Sequence, residues 1–65
     1  MVQINGVNKE QYDGKTLEEM IAEEGYEKSR IAIEINEEII SKTRYGEVIL
    51  QDADRVEVVS FVGGG

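Results

Sequence analysis

Apolar and polar residues alternate at the start of the chain, Met1-Val2-Gln3-Ile4, so that Val2 and Ile4 share one face of a strand. Asn5-Gly6 follows as a two-residue hairpin turn, because both residues tolerate a positive φ. Val7 to Tyr12 is expected to return as a second strand, more polar and so at an edge, with Asp13-Gly14 closing it as a turn. The period then changes. Thr16-Leu17-Glu18-Glu19 fits a capping box, Leu17, Met20 and Ile21 fall on one helical stripe, and Gly25 stands where a left-handed C′ residue belongs. This predicts a helix of about two to three turns.

Alternation resumes at Ile31-Ala32-Ile33-Glu34-Ile35, with the isoleucines on one face and Ala32 and Glu34 on the other. Asn36-Glu37 reads as a turn and Glu38–Ser41 as a short partner strand. Residues 42–47 read as loop, Val48-Ile49-Leu50 as a brief apolar segment, and Asp52-Ala53-Asp54 as another turn. Arg55–Phe61 is the last strand, with Val56 and Val58 inward and Glu57, Val59 and Phe61 outward. A hairpin, a helix and further strands in this order predict an α+β roll of the β-grasp type, a mixed sheet of four to five strands packed on one helix. The crossover helix lets the first and last strands pair in parallel. A ferredoxin-like split would need a second helix, for which residues 42–50 offer too little. The β-grasp domain is expected over residues 1–62, with 63–65 as a flexible glycine tail.

Composition narrows the chemistry. The 65 residues hold 14 acidic and 7 basic side chains, a net charge of −7 that disfavours nucleic acid and anionic membranes as partners. Cysteine and histidine are both absent, which removes disulfides, thiol nucleophiles, imidazole bases and zinc fingers. No apolar run approaches the ~18 residues of a membrane span and no leader pattern opens the chain, so a cytoplasmic location is expected. The adjacent pairs Glu18-Glu19, Glu23-Glu24 and Glu37-Glu38 do not converge and read as a solvated face. Asp52-x-Asp54 lacks the later residues of a calcium loop, so no metal site is expected. Tyr12, Tyr26 and Tyr45 read as packing residues, and Met20 as core filler.

One reactive group remains. The chain closes Phe61-Val62-Gly63-Gly64-Gly65, either an inert end or a tail that threads a channel too narrow for side chains. Three residues reach about 10 Å. The terminal carboxylate, ionised at neutral pH with an ordinary pKa of about 3.5, can attack the α-phosphate of a nucleotide to give an acyl-adenylate. A sulfur or nitrogen nucleophile then displaces the nucleotide. Val59 and Phe61, outward and apolar ahead of the tail, read either as ordinary surface hydrophobes or as a docking patch for the enzyme that works on it. Such a chain is a substrate, with no catalytic residues of its own.

The whole chain resembles the sulfur carriers of thiamine biosynthesis, the ThiS group of the ubiquitin-like β-grasp proteins. The resemblance rests on the Asn5-Gly6 hairpin, the Thr16-Leu17 helix start, Ile31–Asn36, Asp52–Glu57 and Val62-Gly63-Gly64-Gly65. It implies an E1-like adenylyltransferase that uses ATP and magnesium to activate the Gly65 carboxylate, the chain itself binding no cofactor. It further implies a sulfur donor linked to a cysteine desulfurase, which converts that group to a thiocarboxylate, and a thiazole synthase that takes the sulfur. Gly65 would carry the sulfur, Gly63 and Gly64 would thread into the partner, and Val59, Phe61 and Val62 would dock. Ala53 stands where the family often has glycine, and Ser41 where proline is frequent. The rival readings are a carrier of the same fold for molybdopterin or tRNA thiolation, a ubiquitin-like protein modifier acting through Gly65, and a plain interaction module.

Overall fold

The computed structural model describes residues 1–61. Its order is β1 (Gln3–Ile4), β2 (Val7–Asn8), α1 (Leu17–Glu24), β3 (Ile31–Ile35), β4 (Glu38–Ile40) and β5 (Arg55–Ser60), with single 3-10 turns at Glu10–Tyr12, Lys28–Arg30 and Lys42–Arg44. The strands form one mixed sheet in the order β2-β1-β5-β3-β4. β1 runs parallel to β5, with Gln3 opposite Arg55, and the other pairings are antiparallel. This is the expected β-grasp arrangement, with the last strand in the middle.

Local chemistry explains each turn. Both hairpins place two residues at positive φ, Asn5 at 49° and Gly6 at 83°, then Asn36 at 52° and Glu37 at 71°. Turns of that hand match the twist of the strands they join. Thr16 caps α1: its hydroxyl accepts the Glu19 amide while the Glu19 carboxylate accepts the Thr16 amide, and Gly25 ends the helix at φ 79°. Leu17, Met20 and Ile21 go inward against Val2, Ile4, Ile31, Ile33, Ile35, Val56 and Val58, forming one continuous core.

The second strand is shorter than expected. Pairing ends at Asn8, and residues 10–12 turn inward as a 3-10 turn that buries Tyr12. Val7 is exposed at the edge and has nothing to pack on, whereas the Tyr12 ring gains a place in the core and its hydroxyl donates to Glu24 Oε2 at 2.6 Å. β4 likewise stops before Ser41, which caps the next 3-10 turn at φ −67°. That is the angle to which a proline ring is locked, so serine at this position preserves the backbone. The loop after it buries Tyr45, and Lys28 Nζ sits 5.6 Å from the Tyr45 ring centroid in a cation–π contact.

Candidate functional site

β5 is the strand that leads to the chain terminus, and it is held from both sides. From β3 it accepts five antiparallel partners, Ile31–Ile35 against Ser60–Val56. On the other flank, the Asn5 side chain extends the parallel ladder beyond the two residues of β1. Its Oδ1 accepts the Val58 amide at 2.8 Å and its Nδ2 donates to the Val58 carbonyl at 3.3 Å. Asn36 does the same at the other end: Oδ1 accepts the Arg55 amide at 3.0 Å, and its own amide donates to the Arg55 carbonyl at 2.9 Å. The Phe61 amide donates to the Arg30 carbonyl at 2.7 Å, so pairing continues one residue past the strand. Sequence reasoning treated the two asparagines as turn formers only; a polar side chain at positive φ beside a strand end was the available signal.

On the outward face Val59 is 52% exposed and Phe61 50%, as expected, and Ile39 on β4 is 75% exposed. No described segment covers them. Val59 lies opposite Ala32, and Glu57 lies opposite Glu34, which in turn faces Ile39. The expected sulfur-carrying Gly65, the threading residues Gly63 and Gly64, and the docking residue Val62 lie outside the described residues.

Many of the remaining polar groups have structural partners. Glu18 pairs with Lys28 at 3.0 Å, Glu23 with Lys15 at 2.9 Å, and Glu24 with Lys9 at 3.6 Å as well as with Tyr12. The Thr16 amide, and then its hydroxyl, hold the Glu19 carboxyl below its ordinary pKa. Hydrogen bonding to Glu24, reinforced by burial, pushes Tyr12 up to about 12. The Met1 ammonium pairs with Asp52, which raises the first pKa and lowers the second.

The first three amides of α1 are also occupied, by Val48 O, Tyr45 O and the Thr16 hydroxyl, so its N-terminus has no free donor there for an anion. Among the described residues no cavity and no metal-holding cluster of acidic side chains is found, and no helix is long and apolar enough to cross a membrane. What the described residues can do chemically is present a strand end and an apolar face.

Comparison with known proteins agrees. Residues 2–65 match the model of the ThiS family. The chain is 44% identical over 66 aligned positions to the sulfur carrier protein ThiS of Bacillus subtilis, covering all of both. It is 38% identical over 64 residues to a thiazole synthase of Magnetococcus marinus, covering 98% of this chain. The chain spans about a fifth of the length of the thiazole synthases it matches. The crystal structure of thiamine biosynthesis protein ThiS from Geobacter metallireducens superimposes with a TM-score of 0.78 at 21% identity, covering 98% and 97% of the two chains, which supports the fold.

Proposed function

The chain belongs to the ThiS family, and from that premise we propose that it is a sulfur carrier whose reactive atoms are those of the Gly65 carboxylate. A carboxylate oxygen attacks the α-phosphorus of ATP on an adenylyltransferase, pyrophosphate leaves, and an acyl-adenylate results. The terminal sulfur of a persulfide, itself drawn from cysteine, adds to the acyl carbon and expels AMP. A thiol then cleaves the sulfur–sulfur bond and leaves the thiocarboxylate, whose sulfur passes to a thiazole synthase. ATP and magnesium belong to the activating enzyme. The folded body performs none of these steps; it positions the strand end and offers Val59, Phe61 and Val62 for docking.

The observation that best supports this reading is the position of β5, central in the sheet and hydrogen-bonded on both flanks, with half-exposed Val59 and Phe61 at its end. The four residues after Phe61 can span at most ~14 Å, so an enzyme acting on Gly65 must come close to that face. The thiazole synthases among the relatives favour a thiazole as the destination of the sulfur.

Intact-mass analysis tests the chemistry. Incubation with the adenylyltransferase, ATP, magnesium and a persulfide donor should exchange one oxygen for sulfur. Deleting Gly65, or Gly64→Trp, should abolish the exchange with the fold intact. A truncated chain that still gains sulfur would overturn the proposal, and covalent ladders on lysine would identify a protein modifier instead.

A further inference from the structure

Glu34 and Glu57 stand directly opposite each other on β3 and β5, in the middle of the outward face. Like charges in that position destabilise a sheet. None of the chain's own cations makes an ion pair with either carboxylate among the described residues. Lys9, Lys15, Lys28, Arg30 and Arg44 are paired with Glu24, Glu23, Glu18, Glu27 and Glu47, and Lys42 donates to the Ile31 carbonyl. Arg55, the remaining cation, makes no ion pair within 4.0 Å among the described residues. Around the two carboxylates the face is mainly apolar, with Arg55 outward on β5 two residues from Glu57. Ile39 lies across from Glu34, Val59 is two residues along from Glu57, and Phe61 two further.

Building on the carrier reading above, we infer that this face docks a thiazole synthase through one basic side chain set between Glu34 and Glu57, with apolar partner residues covering Ile39, Val59 and Phe61. Arginine suits the place best, because its planar fork can donate to both carboxylates at once. Charge complementarity selects this occupant. A second copy of the chain would bring four carboxylates together with a net charge of −7 on each side, and an anionic lipid surface would be repelled likewise. Thiazole synthase is chosen among enzymes because two relatives of that name contain a segment aligning with 98% and 95% of this chain.

The test is titration calorimetry of the full chain against the thiazole synthase of the same cell, at low and high salt. Glu34→Gln/Glu57→Gln should weaken binding roughly tenfold or more and flatten its salt dependence, while the free carrier melts no lower than the parent. An unchanged dissociation constant and salt slope would overturn the inference. Should the double variant melt lower, each single variant and the salt series on the parent decide, and parent binding indifferent to salt also overturns it. So would self-association that the double variant strengthens without any loss of enzyme binding. The mass assay with the adenylyltransferase, ATP, magnesium and persulfide donor separates the two proposals: glutamate-dependent binding without sulfur gain in that assay supports the docking face and sinks the carrier chemistry.

Discussion

Asn5 and Asn36, at φ 49° and 52°, close on the same strand from opposite sides, one bonding Val58 and the other Arg55. Each lies in the turn of a different hairpin. Each therefore does two jobs, turning its own chain and extending the hydrogen-bonding of β5 where a short strand has run out. In this way the two residues of β1, continued by the Asn5 side chain, flank β5 as far as Val58.

Replacing Asn5 separates those jobs. Asn5→Gly keeps the left-handed backbone but leaves the part-buried Val58 amide without its acceptor, at a cost of about 1–3 kcal/mol. Asn5→Ala adds the penalty of a Cβ at positive φ and should be worse by about 1 kcal/mol. Urea unfolding gives the order parent, glycine variant, alanine variant; faster amide exchange at Val58 in both variants locates the loss.

Ala53 holds φ 75° in the turn from Gln51 to Asp54, whose ends are joined by the Asp54 amide donating to the Gln51 carbonyl at 3.0 Å. Glycine would take that angle without strain. Ala53→Gly should therefore stabilise the domain by roughly 0.5–1 kcal/mol, the relieved strain outweighing the extra freedom of the unfolded chain. Thermal melting checks it, and a lower melting point would contradict it.

Tyr12 sets an alkaline limit. Its folded pKa of about 12, raised chiefly by the hydrogen bond to Glu24, exceeds the ordinary 10.0. The folded state keeps this proton where the unfolded chain has already released it. The resulting stability is complete below about pH 10 and drains away as pH rises towards 12. Tyr12→Phe should lower stability at neutral pH and flatten that alkaline slope, as followed by denaturant unfolding across the range.

Thr16 and Glu19 act at the acid end. The Glu19 carboxyl titrates below its ordinary value of 4.5 because the Thr16 amide and hydroxyl bond its charged form. That contribution is present above the ordinary value and is lost as pH falls through the folded one. Thr16→Ala should cost about 1 kcal/mol as a lost cap. In a carboxyl NMR titration the variant should move Glu19 back towards its ordinary value.

Much of this was readable because each element's residues agree with one another. The isoleucines of 31–35 alternate cleanly, Thr16 and Glu19 bracket a helical stripe, and Asn5-Gly6 turns one way only, so period, cap and turn chemistry concur. Val7–Tyr12 misled because its polar alternation suits an edge strand. Tyr12 reads as a packing residue, but its partner Glu24 is distant in sequence, and only the packed fold shows the 3-10 turn that carries the ring inward. The apolar outward face was legible at Val59 and Phe61. Ile39 was not, since Glu38-Ile39-Ile40 carries no sign of which isoleucine points in. The Glu34–Glu57 pairing depends on register between strands, which no local pattern specifies.

Seating the final strand between the first and the third has a kinetic consequence. Its inner backbone amides cannot be freed by fraying of an outer edge, so their hydrogens should exchange with solvent only when the entire sheet comes apart. The strand that leads to the chain terminus is then the slowest-exchanging part of the molecule, and on the carrier reading an enzyme that grips it meets a fixed platform.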